Sequence, residues 1–172
     1  TEKNYALQTK KDNGEWQTTN SQKYTENGTI YARLWDGTNA GEEIYKPITN
    51  IDKTAPTATN IEIKNVTPAG YDVYVYGVKD NGSGVNRVQF PTWTESKGQD
   101  DIQPNWQTGE SSKGTKQADG TTWVYHVNIT DHKTEAGEYN THIYAYDNLE
   151  NGKCIGTQKV TIPMVKITYD EN

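Results

Sequence analysis

Apolar and polar residues alternate with a period of two along much of the chain. Ile61 and Ile63 alternate with Asn60, Glu62 and Lys64; Val73 and Val75 alternate with Asp72, Tyr74 and Tyr76. Trp123, Tyr125, Val127 and Ile129 share one parity, as do Tyr139, Thr141, Ile143 and Ala145. Successive strand side chains point to opposite faces, so each run predicts a strand with one buried face. No segment sustains a 3.6-residue period, and almost no helix is predicted. Runs of Asp, Asn and Gly separate the strands at 80–84, 119–120 and 147–152. Gly supplies positive φ there, while Asp and Asn close turns through their own side chains. Short strands at such spacing predict an all-β sandwich or barrel. Its core is expected from Val73, Val75, Val88, Phe90, Tyr125, Val127, Tyr139 and Ile143.

The alternation stops at 51–56, a polar stretch ending in Pro56. Proline disfavours helix in the residue before it and extends the chain. A linker is expected there, between a small or partial β module at 1–50 and a sandwich at 57–163. Residues 164–172 are expected to add a strand or begin another linker. Thr29 to Asp36 resembles His142 to Asp147, and a turn and a second strand follow each. Both segments read as the last hairpin of a module. Fifty residues stand near the lower limit for a free-standing core, so the first segment is expected to lean on a neighbour.

Composition narrows the class. Only 31% of the 172 residues are hydrophobic, yet there are 12 Tyr and 5 Trp, whereas disordered segments are poor in aromatics. The net charge of −6 is dispersed, without a Lys/Arg block of the kind that tracks phosphates, and nucleic acid is not an expected partner. No apolar run approaches the ~20 residues of a membrane helix, and no membrane insertion is expected. The absence of an initiator Met or signal peptide reads as an excised fragment. Cys154 is alone, which excludes an internal disulfide and Cys-rich metal clusters.

Residues 71–90 and 139–153, through the runs "KDNGSGVNRVQF" and "GEYNTHIYAYDNLENG", resemble bacterial immunoglobulin-like domains, and "IDKTAP" at 51–56 is a linker of the type that joins them. Over about 57–163 the strings "VQFPTWTESKGQDDI" and "DGTTWVYHVNITDHKTEAGEYNTHIYAYD" resemble the GBS Bsp-like repeat of Gram-positive cell-wall proteins. The resemblance implies immunoglobulin-like β-sandwich modules in tandem, secreted to the cell wall or cell surface, often beside a peptidoglycan hydrolase domain. It implies no chemistry in the module itself. One departure stands out: the family continues after "GQDDI" with a Trp-Tyr pair, and here Gln103-Pro104-Asn105-Trp106-Gln107 takes its place.

The search for catalytic groups returns little. Asp100 and Asp101 are adjacent and would diverge in a strand. Asp131-His132 lacks a nucleophile elbow, and Asp131 is expected to cap a turn with His132 packed over it. His126 and His142 are expected on different sheets, facing opposite sides, which disfavours zinc. The turns at 80–84 and 147–152 should meet at one end of the sandwich, where Asp80, Asn81, Asp147, Asn148, Glu150 and Asn151 offer the oxygen ligands of calcium. Turns demand these residues anyway, and no metal or cofactor is expected. The remaining feature is aromatic. Tyr74, Tyr76, Tyr144 and Tyr146 take outward parity, and Trp93 and Trp106 sit in a long polar insertion between Phe90 and Asp119. A glycan site is expected at Trp93 and Trp106, with Gln99, Asp100 and Asp101 bonding hydroxyls. The expected function is a non-catalytic, monomeric wall module that binds peptidoglycan or an associated polysaccharide, or spaces a catalytic domain from it. The alternative is an adhesin stalk or tip with a protein partner.

Overall fold

The structure, a computed structural model, describes residues 4–163. The expected element at 164–172 lies outside the described residues. The chain divides into two compact units, Thr1–Asp52 and Lys53–Asn172.

The second unit is a sandwich of two antiparallel sheets. One sheet runs in the order β5 (Asn60–Thr67), β6 (Gly70–Tyr76), β10 (Trp123–Asn128), β9 (Thr115–Lys116). The other runs β12 (Gly152–Ile162), β11 (Gly137–Asp147), β7 (Val85–Gln89), and β8 (Thr92–Thr94) also pairs with β11. Lettered in chain order, these are the ABED and GFC sheets of a constant-type immunoglobulin fold. Period-two alternation turns one side of each sheet inward. Val73, Val75, Val88, Phe90, Val127, Tyr139 and Ile143 are all 0% exposed, with Tyr125 at 9%. All eight residues expected in the core are therefore buried. Phe90 stacks on Tyr125 with centroids 5.1 Å apart, and Tyr71 meets Tyr139 edge-on at 6.1 Å. At the start of β11 the Tyr139 hydroxyl donates to the Glu135 carbonyl at 2.6 Å, the tyrosine corner of this fold. At the opposite end the 80–84 and 147–152 turns meet as expected: Asn148 Nδ2 donates to the Ser83 carbonyl at 2.7 Å.

The first unit is a single antiparallel sheet in the order β2 (Gln17–Thr18), β1 (Ala6–Lys11), β3 (Gly28–Trp35), β4 (Ile44–Ile48). The β3–β4 pair is the hairpin its repeat pattern predicts. Among its described residues only Thr9 is buried. Register puts Leu7 opposite Leu34, and Ala32 opposite both Thr9 and Ile44, on one face. The other face carries Gln8, Lys10, Tyr31, Arg33 and Tyr45. There Lys10 lies over Trp16 and Tyr31, and Arg33 over Trp16 at 4.1 Å.

Candidate functional site

The outer face of the β11 sheet gathers the aromatic residues that alternation leaves outside. Along β11, Tyr139, Thr141, Ile143, Ala145 and Asp147 are buried, while His142, Tyr144 and Tyr146 are half-buried on the other side. Trp93 stands opposite Asn140 in the β8–β11 ladder and meets the His142 ring edge-on, centroids 4.7 Å apart. His142 is followed by Tyr144 at 6.5 Å, and Trp106 tilts against Tyr144 at 4.7 Å. Four rings thus form one row, Trp93–His142–Tyr144–Trp106. Register carries polar neighbours onto the same face from β12: Lys159 opposite Asn140, Thr157 opposite His142 and Cys154 opposite Tyr144. Beyond Tyr144, the Arg87 guanidinium lies 4.1 Å over the Tyr146 ring and grips Glu150 with two bonds of 2.7 and 2.6 Å. That grip holds the Glu150 carboxyl below the usual carboxylate range.

The sequence reads 90–119 as one polar excursion, but it is built more firmly than a loop. Trp93 belongs to a strand, β8. Gln103 is buried; its Oε1 accepts from the Thr92 amide at 3.0 Å and its Nε2 donates to Tyr125 at 2.9 Å. The Tyr125 hydroxyl in turn donates to the Ser111 carbonyl at 2.7 Å, and burial pushes this phenol up to about 12. Ser112, fully buried, donates to Gln89 and to the Trp106 carbonyl. Arg87 Nε donates to the Gln107 carbonyl at 3.1 Å. These bonds fix the backbone on both sides of Trp106. Alternation cannot announce Gln103 or Ser112, because each is a polar residue in a polar segment.

The five residues expected to form the site differ in what they face. Trp93 and Trp106 join the row. The acidic string lies at the Trp93 end of the row: Asp101 is 8% exposed and accepts from the amide of Thr94, the residue after Trp93. Asp101 also meets His132, 0% exposed, with Nδ1 3.2 Å from Oδ2. Neither ring nitrogen of His132 makes a hydrogen bond. Asp101 is thus enclosed by the fold and not open to a ligand. Asp100 is exposed and bound to Lys133 at 2.6 Å, and Gln99 is exposed. Nearby, Glu135 accepts from Thr94, Ser96 and Lys97, and the Lys97 ammonium is the main cause of its lowered pKa. The sequence offers Tyr144 as an outward residue and His142 as a discounted metal ligand; only the sheet shows that both are the middle of the row.

Other candidates resolve into local roles. Asn128, three residues before Asp131, caps the turn at Ile129–His132, its Oδ1 accepting from the Thr130 amide. The three histidines stand apart: His126 pairs with Asp72 on the β10 sheet, His132 is in the interior, and His142 is in the row. Asp80 accepts from the amides of Gly82 and Gly84, and Asp147 from those of Leu149 and Asn151, so both carboxylates bond to their own turns. No helix among the described residues is long and apolar enough to cross a membrane.

A family model, the GBS Bsp-like repeat, matches residues 48–160. No curated protein matches the chain. Among solved structures, a polysaccharide deacetylase from Bacillus cereus is similar at 13% identity and a TM-score of 0.42, over 60% of this chain and 29% of the deacetylase.

Proposed function

We propose, from the premise that this chain belongs to the GBS Bsp-like repeat family, that its second unit is a glycan-binding module of the Gram-positive cell wall. The family is a non-catalytic type of module found in bacterial surface and secreted proteins. The ligand we propose is peptidoglycan or a polysaccharide attached to it. The observation that supports it most is the row of four rings on an outer sheet face. A sugar presents C–H faces that stack on aromatic rings and hydroxyls that need hydrogen-bond partners. Rings on a sheet backed by a packed core are already ordered, so binding sacrifices little side-chain freedom. Thr157 and Lys159 on β12, with Glu95 beside Asn140, supply donors and acceptors along the row. Within this reading Trp93 and Trp106 keep the role expected of them, and Gln99, Asp100 and Asp101 give up theirs to His142, Tyr144 and the β12 groups.

Sedimentation with isolated Gram-positive walls tests it. The chain should pellet with walls, and Trp106→Ala and Tyr144→Ala should each remove most of the pelleting with Tm unchanged to within a few degrees. Undiminished pelleting by both variants overturns this face as the site. No pelleting by the parent chain overturns wall binding and favours a spacer, or a stalk with a protein partner.

A further inference from the structure

We infer that the ligand is a linear glycan lying lengthwise along β11 and read over about four sugars, an inference that rests on the glycan-binding reading above. The rings do not surround a point. They succeed one another along the strand from Trp93 at the register of Asn140 through His142 to Tyr144, against which Trp106 packs. Consecutive centroids are 4.7, 6.5 and 4.7 Å apart. Same-face side chains on a strand recur about every 6.6 Å. Both spacings are on the scale of one pyranose residue in an extended chain, so four rings meet about as many sugars.

The two ends of the row fit a chain that passes over them. At the Asn140 end, Lys159 and Glu95 are mostly exposed and lie 3.7 Å apart, and Lys159 is also bonded to Glu138. At the other end the Arg87 fork is committed, with Nη1 and Nη2 on Glu150 and Nε on the Gln107 carbonyl. Neither set offers a buried, free group to receive a chain terminus. Lys159 and Glu95 at one end and the Glu150 carboxylate at the other offer exposed groups to hydroxyls on either side of a longer strand.

The sheet also supplies a reporter. Cys154, exposed and the one cysteine of the chain, stands opposite Tyr144 on the same face. A glycan covering the middle of the row shields its thiol.

The test uses the full chain and peptidoglycan glycan strands, stripped of stem peptides by an amidase and cut by limited muramidase digestion to two, four, six and eight sugars. Affinity is read by tryptophan fluorescence and by protection of Cys154 from a maleimide. Kd should fall at least tenfold from two sugars to four, then no more than about fivefold to eight, the gain expected from additional registers on a longer strand. Four sugars should slow Cys154 labelling, and Trp93→Ala should bring four-sugar affinity to the two-sugar level. Equal affinity at two and eight sugars overturns the inference, since one or two rings then suffice. Steep strengthening beyond four overturns it as well. Walls that pellet the chain while no strand of any length binds overturn the linear-strand ligand and leave the ring face as a wall-binding site. Failure of both walls and strands overturns the functional reading itself.

Discussion

The two units share strand-forming composition and antiparallel pairing, yet among the described residues only the second has an interior. Its two sheets face each other and enclose fourteen of the described hydrophobic residues. The first is one sheet, where Leu34, Ile44 and Tyr45 are 52%, 66% and 72% exposed. Alternation is therefore sufficient to make a strand but not a core. A core needs a second layer to receive the apolar side. The units also use aromatic rings differently. In the second unit Tyr71, Phe90, Tyr125 and Tyr139 pack inward, which leaves a separate outer row available for a ligand. In the first, Trp16, Tyr31 and Trp35 are occupied with Lys10 and Arg33 on the surface.

The largest test of this contrast compares truncations. Phe90→Ala should destabilise the second unit by about 3–5 kcal/mol, the usual cost of emptying a buried aromatic site. Leu34→Ala in the first unit should change stability by no more than about 0.5 kcal/mol. Urea denaturation of each full-length variant measures both, and equal effects would erase the distinction. Somewhat smaller, about 3 kcal/mol, should be the loss from His132→Ala, which empties a fully buried ring site packed edge-on against Tyr139. Asp131→Ala, one residue away but exposed, should be near neutral.

Alkaline titration should produce a more gradual effect. Burial raises the Tyr125 and Tyr139 phenols to about 12 each, and Tyr71 higher. Phenols whose folded pKa is raised stabilise fully below their unfolded value near 10, and that stabilisation is lost as pH rises through the folded values. The Tm of the second unit should thus hold up to about pH 10 and fall between about 10 and 12. Tyr125→Phe should flatten part of that decline. The smallest effect is expected from Glu43→Gln, since Glu43 lies 3.8–4.0 Å from Arg33 and Lys10 and is about half exposed. Its loss should cost less than about 0.5 kcal/mol and vanish in high salt.

How much of this was legible beforehand follows from the range of each interaction. Strand parity is a property of neighbouring residues, and it correctly turned Val73, Val75, Tyr139 and Ile143 inward and Tyr144 outward. Turn chemistry is equally local: Asp80 and Asp147 bond amides two to four residues away, so the sequence displays both partner and purpose. The acidic string of the second unit was legible as a motif but not as a position, because the alternation that locates strands is silent in a segment where most residues are polar.

The sequence by itself determined which residues form strands, which faces are apolar and where the chain turns. The tertiary structure alone decided which of those faces meet. Asp101 and His132 are 31 positions apart, and Trp106 and Tyr144 are 38 apart, with both distances set by the order in which strands enter the two sheets. A carboxylate reads the same in sequence whether it meets solvent or a buried imidazole, and a tryptophan reads the same whether it caps a core or completes a row. Pairing across sheets is a three-dimensional constraint. It turned a polar insertion into a scaffold and gathered four separately placed rings onto one face.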